Sequence, residues 1–225
     1  MRNVSNSIAE KILHPDPQAV DYPATWDNPP YSISEGQGVN ETRRMLEEYT
    51  STCPNSDIVL LGYSQVSLLL YYIPPVYAKL VWLSMKGAQV VADVLCGTSE
   101  SGFHPSSPLP WGIGQSVKAA ILMGDPSHRQ TAPYNFNHTG SGNLDELYPR
   151  MRNVPCSPYT GIIRSYCDKG DYICSFQNVT KLDAGVREDI ESHSVPGHDK
   201  YVERYLLNAV EFVLSKLGYI HDHSI

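Results

Sequence analysis

Three short apolar runs, separated by stretches with helical periodicity, constrain this chain more than any other feature. The runs are Ile58–Leu61, Val117–Met123 and Thr160–Ser165, and polar, turn-like residues follow each of them. Short runs of this kind are typical of parallel strands that are buried on both faces. Apolar residues at helical spacing predict helices over Gly38–Ser51 and Asp199–Leu217. Strands that alternate with helices predict an α/β fold around a parallel sheet.

The composition fits one globular domain and argues against several function classes. The chain has 225 residues, 41% of them hydrophobic, which is enough for a packed core in a single domain. Its net charge of −7 leaves no basic stripe to neutralise phosphates, so we expect no nucleic-acid partner. The sequence contains no P-loop, no dinucleotide fingerprint and no C-x-x-C pair. A structural zinc site is therefore not expected.

The first apolar run leads directly into Gly62-Tyr63-Ser64-Gln65. A nucleophile elbow has this order: a strand, a sharp turn that lifts the serine hydroxyl above the sheet edge, and then a helix. Glycines flank the serine in the G-x-S-x-G pattern because strand and helix come too close for a Cβ atom. Here the fifth position is Val66. Alone, the four residues also fit a strand-end turn with a surface serine.

Two further residues complete a candidate catalytic arrangement. Asp171 lies between Cys167 and Cys174, which are seven residues apart and could close a small disulfide ring. A carboxylate held in such a loop can orient a histidine and stabilise its cationic form. His198 comes just before the last predicted helix. Taken singly, these are a turn aspartate and a surface histidine, but with Ser64 they follow the Ser…Asp…His chain order of α/β-hydrolases.

Further motifs extend along nearly the whole chain apart from Val66–Lys86. They are Tyr22-Pro23-Ala24, Cys53-Pro54, GAQVVADVLCG from Gly87, KAAILMGDPSHR from Lys118, SYCDKGDYIC from Ser165, and His198 with Tyr201. Together with the elbow they resemble the cutinase and acetylxylan esterase family of small secreted serine esterases. The resemblance implies an α/β-hydrolase-like three-layer sandwich with a central parallel sheet, in one catalytic domain over residues 1–225.

The resemblance also implies a mechanism and a substrate. Ser64 would be the nucleophile, His198 the general base and acid, and Asp171 the carboxylate that orients it. The backbone N–H of Gln65 would be one oxyanion-hole donor. No metal or organic cofactor is required. The implied partner is a polymeric ester of the plant cell wall, with acetylated xylan favoured over cutin, and the protein is expected to be a monomer.

Other titratable residues are alternatives that the family pattern disfavours. His193 is the rival base, but Tyr201 and the helix that follows favour His198. Asp125 is a rival acid, which the pattern assigns to the end of a strand. The remaining histidines considered are not expected in the site, because the first is expected to be structural and the others lie in a terminal tail: His128, His221 and His223.

The beginning of the chain departs from the family pattern. The family begins with a strand that carries a cysteine, followed by a loop that supplies a second oxyanion donor, and neither precedes Tyr22. We therefore expect the first strand to be missing. The pairs that the resemblance implies are Cys96–Cys156 and Cys167–Cys174, which leaves Cys53 without a partner.

The cysteines and four sequons favour a secreted glycoprotein. The sequons begin at Asn3, Asn40, Asn137 and Asn178. The first residues have no apolar segment of the kind found in signal peptides. The expectation is an extracellular protein whose export signal lies in a missing N-terminal piece.

The second departure is Val66–Lys86, a 21-residue segment much more apolar than its surroundings. Pro74-Pro75 would break a helix there and Lys79 interrupts the rest, so a membrane span is not expected. We expect an anomalous apolar loop beside Ser64 that damages the elbow. Without it, Gln65 would join Gly87 and restore the G-x-S-x-G pattern.

The first and last codons of this segment can match the donor and acceptor ends of an intron whose length keeps the reading frame. This suggests that an intron is retained in the gene product. The alternative to an active esterase is therefore a catalytically impaired pseudoesterase, or a gene-model product with this insert and a truncated N-terminus.

Overall fold

The computed structural model describes residues 1–64, 80–85, 87–136, 147–151, 156–175 and 197–220, with residues 80–85 described by their backbone. The helices are α1 (Arg2–Ala9), α2 (Tyr31–Thr52), α3 (Ala88–Cys96), α4 (Trp111–Gly114) and α5 (Tyr201–Lys216). The strands are β1 (Pro15–Ala19), β2 (Asp57–Tyr63), β3 (Leu80–Met85), β4 (Val117–Met123) and β5 (Ile163–Tyr166), and a 3₁₀ turn (Tyr159–Ile162) precedes β5.

The strands form one parallel sheet in the order β1-β3-β2-β4-β5. The predicted parallel sheet flanked by helices is confirmed. The third apolar run forms a strand only from Ile163, because its first residues belong to the 3₁₀ turn. The predicted helix at Gly38 begins earlier, at Tyr31, directly after Pro30, which has the extended ψ of 149°.

β3 comes from the segment that the sequence marks as anomalous. It pairs with β2 on one side and with β1 on the other, so it is an inner strand of the sheet. The prediction of an apolar loop is therefore wrong for residues 80–85. The expectation that the first strand is missing is also wrong, since β1 precedes Tyr22 and the sheet of the described residues has five strands. Residues 66–79 and 86 lie outside the described part of the chain.

Helices cover both faces of this sheet. The alternation along β2 sends Ile58 and Leu60 to the core shared with α2 and α3, and sends Val59 and Leu61 to the core shared with α1 and α5. All four side chains are 0% exposed. Burial of each such side chain contributes roughly 1.5–3 kcal/mol. Within the described residues, no helix is long and apolar enough to cross a membrane.

Deletion of residues 66–86 should lower the stability of this chain. Backbone groups of β1 and β2 that pair with β3 would lose their partners, and each buried unpaired group costs about 1–3 kcal/mol. We expect a lower Tm than that of the intact chain in thermal unfolding followed by circular dichroism.

Two proline variants separate the strand from the rest of the segment. Leu83→Pro interrupts the inner strand, whereas the matched change Gln18→Pro lies in β1, which is paired on one side only. The first variant should lose more stability than the second. Equal Tm values for the deleted and intact chains would show that β3 contributes nothing to the fold.

Candidate active site

Ser64 lies directly after β2, in the sharp turn that the sequence predicts. Its φ of 44° is in the left-handed region, which is strained for a residue with a side chain and is typical of functional turns. The backbone holds this conformation from both sides. The N–H of Ser64 donates to the carbonyl of Met123 at 2.7 Å, and its carbonyl accepts from the N–H of Ala88.

The start of α3 packs directly against the end of β2. A Cβ atom on Gly62 would lie 2.6 Å from the carbonyl oxygen of Gly87 and 2.7 Å from the Cα of Ala88. Only glycine fits at such a distance. Gly87 therefore lies in space where the elbow needs a close-packed glycine, although 22 residues separate it from Ser64 in the sequence. The contact between Gly62 and Gly87 is present in the described residues, whereas Val66 and the loop expected to damage the elbow lie outside them.

His198 lies between Ser64 and Asp171. The hydroxyl of Ser64 donates to His198 Nε2 at 2.7 Å, and His198 Nδ1 lies 2.7 Å from Oδ2 of Asp171. Since Nδ1 faces a carboxylate, it carries the proton and leaves Nε2 as the acceptor. The hydroxyl of Tyr63 donates to the backbone carbonyl of His198. A Cβ atom on Gly124 would lie 2.7 Å from the imidazole, so a glycine is needed there as well.

Asp171 is fully buried in the loop closed by Cys167 and Cys174. Its Oδ1 accepts from the N–H of Ile173 at 2.9 Å, and its Oδ2 accepts from the hydroxyl of Tyr201 at 2.6 Å. The second expected disulfide, Cys96–Cys156, is also present, and Cys53 forms no disulfide.

Loss of bulk water strengthens the hydrogen bonds of this site. Ser64 is 1% exposed, and the side chains of His198 and Asp171 are 13% and 0% exposed. In such surroundings hydrogen bonds to charged groups are stronger than in water. The geometry suits transfer of a proton from the serine hydroxyl to the imidazole, whose positive charge Asp171 would stabilise.

The structure separates Asp125 and His128 from this arrangement. Asp125 pairs with Arg150, with Oδ2 and Nη1 3.0 Å apart. His128 is buried, and its Nδ1 lies 3.0 Å from the hydroxyl of Ser165. The predicted oxyanion donor and three other histidines lie outside the described residues: Gln65, His193, His221 and His223. Within the described ranges, no group of three or more His, Cys, Asp and Glu residues could hold a metal ion.

A buried charge cluster, which the sequence analysis missed, supports the chain next to His198. Arg150 pairs with Asp93 at 3.0 Å, with Glu100 at 3.3 Å and with Asp125 at 3.0 Å. Burial opposes the charge of Arg150, but the three carboxylates together raise its pKa well above the ordinary value. Asp125 follows Gly124, which contacts the imidazole, so this cluster anchors one wall of the site.

Glu35 is the fourth acid in this region, and it forms no ion pair within the described part of the chain. It is 0% exposed, and among the described residues neither carboxylate oxygen has a conventional hydrogen-bond donor. Burial raises the pKa of Glu35 to about 7, with Glu100 and Asp125 adding to the effect, while Asp93 and Arg150 oppose it. Burial also raises the pKa of Asp93 well above its ordinary value. Glu35 and Asp93 are thus two buried acids whose burial disfavours their charged forms.

Glu35→Gln should make stability less dependent on pH. The folded state holds a proton on Glu35 up to about pH 7, whereas the unfolded chain releases it near 4.5. The free energy of unfolding of the natural chain therefore falls as pH rises through this window and stays lower above it. We expect Glu35→Gln to flatten this fall and to raise Tm at pH 8.

The matched control is Glu47→Gln, an exposed position on the same helix. Its curve of Tm against pH should follow that of the unchanged chain. If Glu35→Gln gives the same curve as this control, Glu35 is ionised in the folded state throughout this pH range.

A serine, a histidine and a carboxylate joined at the carboxyl edge of a parallel sheet define the α/β-hydrolase class of site. The chain belongs to the cutinase family, whose model, Cutinase, matches residues 3–71 and 79–217. The matched ranges include β3 as well as Ser64, Asp171 and His198. The named relatives of this chain are carboxylic ester hydrolases.

Two relatives and one solved structure show how similar this chain is to known proteins. The chain is 28% identical to acetylxylan esterase 2 of Talaromyces purpureogenus over 95% of this chain and 80% of that protein. It is 31% identical to cutinase 11 of Verticillium dahliae over 76% of this chain and 50% of that protein, so it spans half the length of the latter. An iodinated complex of an acetyl xylan esterase superposes with a TM-score of 0.70 at 26% identity, covering 96% of this chain and 89% of the other.

Proposed function

We propose that this protein is a serine esterase that hydrolyses carboxylic esters through an acyl-enzyme. The observation that carries the proposal is the continuous hydrogen-bonded path from Ser64 through His198 to Asp171, with 2.7 Å at both steps. Membership of a family of ester hydrolases supports the same reaction.

The reaction proceeds in two halves. His198 takes the proton of Ser64 as its oxygen attacks the ester carbonyl, and then delivers that proton to the leaving alcohol. Water attacks the acyl-enzyme with His198 again as base, which releases the acid and restores the hydroxyl. Asp171 stabilises the imidazolium in both halves. The N–H of Gln65 remains the proposed oxyanion-hole donor.

Acetylated xylan is the proposed substrate, in preference to cutin. The relative named as an acetylxylan esterase matches 95% of this chain, whereas the relative named as a cutinase matches 76%. The superposed structure is also an acetyl xylan esterase. Release of acetate from acetylated xylan, compared with release of fatty acids from cutin, separates the two substrates.

We also propose that the protein works outside the cell as a glycosylated monomer. The two disulfides are typical of an oxidising compartment, and the sequon residues Asn3 and Asn40 are exposed on α1 and α2. Expression in a secreting fungal host, followed by peptide-N-glycosidase treatment and gel filtration, tests this. A protein of unchanged mass after treatment would contradict glycosylation.

Ser64→Ala should abolish the activity while leaving the fold intact. Without the hydroxyl there is no nucleophile, so we expect kcat for a short-chain nitrophenyl ester to fall at least about 10³-fold. Hydrolysis is followed by the absorbance of nitrophenolate, and Tm is measured for each variant.

The matched control is Ser127→Ala, which removes a buried serine hydroxyl that forms no conventional hydrogen bond with the residues that the structure describes. It should keep most of the activity. An unchanged chain that is folded but does not hydrolyse the ester would favour the pseudoesterase instead.

A further inference from the structure

Tyr201 contacts the candidate site from the first turn of α5. It is the first residue of that helix and is 0% exposed. Its hydroxyl donates to Oδ2 of Asp171 at 2.6 Å and accepts from the backbone N–H of Asp168 at 2.8 Å. The sulfur of Cys174, 3.1 Å from the hydroxyl, belongs to a disulfide and has no proton to donate. The hydroxyl therefore has three polar neighbours, namely one carboxylate oxygen, one backbone N–H and one disulfide sulfur.

These neighbours fix the direction of the only proton that the hydroxyl carries. The N–H of Asp168 can only donate, so the oxygen of Tyr201 must be its acceptor. The carboxylate of Asp171 is a much stronger acceptor than a disulfide sulfur, so the proton points to Oδ2. Burial and the nearby charge of Asp171 raise the pKa of Tyr201 far above its ordinary value. The hydroxyl therefore remains a donor throughout the pH range of a folded enzyme.

The same carboxylate oxygen contacts the catalytic histidine. Oδ2 accepts from Tyr201 at 2.6 Å and faces Nδ1 of His198 at 2.7 Å, while Oδ1 is held by the N–H of Ile173. A carboxylate can rotate about its Cβ–Cγ bond. Donors on both oxygens prevent that rotation and keep Oδ2 directed at the imidazole.

The loop that carries Asp171 is also fixed to α5 at a second point. The carboxylate of Asp168 accepts from the guanidinium of Arg204 and from the hydroxyl of Tyr205, both on that helix. His198 lies just before the same helix. The aspartate and the histidine are therefore held to one rigid element, and Tyr201 is the contact that reaches the carboxylate itself.

We propose that Tyr201 is a positioning residue for the esterase reaction, acting through Asp171 on His198. The proposal rests on the proposed function for its kinetic consequence, but the hydrogen bond itself can be measured without activity. Removal of the hydroxyl takes away one of the two contacts that hold Oδ2 and leaves the other, to Nδ1 of His198. The imidazole is then less well oriented, and the carboxylate charge that faces Nδ1 is less neutralised by other donors.

The variant to make is Tyr201→Phe, and the matched control is Tyr166→Phe. Tyr166 is also buried, and its hydroxyl also bonds to α5, through Oδ1 of Asn208 at 2.7 Å, without contact with Asp171. For Tyr201→Phe we expect kcat for a short-chain nitrophenyl ester to fall about tenfold with little change in KM. The acid side of its pH–rate profile should move to higher pH. Tyr166→Phe should lower Tm to a similar extent but keep the profile of the unchanged chain.

Proton NMR provides the readout that is independent of hydrolysis. The Nδ1 proton of His198, held by Asp171, should give a far-downfield resonance that shifts in Tyr201→Phe and stays in place in Tyr166→Phe. An unchanged chain without activity would overturn the proposed function but not this inference. A Tyr201→Phe variant with an unmoved resonance, or with the activity and pH profile of the control, would overturn the inference.

Discussion

The close contact between the end of β2 and the start of α3 is the constraint on which the site depends. Gly62 and Gly87 touch there, and the bond from Ala88 to the carbonyl of Ser64 fixes the strained turn between them. Any side chain on Gly62 would push α3 away from the sheet. Since α3 also carries Asp93, which pairs with Arg150, such a shift would reach the wall of the site beside His198.

The other half of the site is built on α5 rather than on the sheet. His198 comes before this helix, and the disulfide-closed loop is bonded to it through Asp168 and Tyr201. The site therefore has two rigid parts, one formed by β2 with α3 and the other by α5 with its loop. They meet at the hydrogen bond between Ser64 and His198. The bond from Tyr63 to the carbonyl of His198 is a second connection between them.

Local patterns in the sequence predicted the parallel sheet, whereas the residues that meet at its edge were singled out by their chain order and by the family resemblance. The apolar run at Val117–Met123 forms β4 with the same bounds, because its length and the turn-like residues that flank it fit a single buried strand. β3 could not be predicted, since an apolar segment containing a proline pair gives no periodicity that distinguishes a strand from a loop. The contacts of Arg150 and Tyr201 were also missed. They join residues distant in the chain, and spacing alone carries no information about such contacts.

Both borders of the sheet are blocked to a further strand. Two of the five residues of β1 are prolines, Pro15 and Pro17, which have no N–H to offer to another chain. At the opposite border, the backbone of Tyr134 and Phe136 bonds to Ser165 of β5 and occupies its open side. A sheet with such borders resists edge-to-edge aggregation. This property matters for a protein whose inner strand comes from a strongly apolar segment, because an open border would let another chain pair with the sheet that contains it.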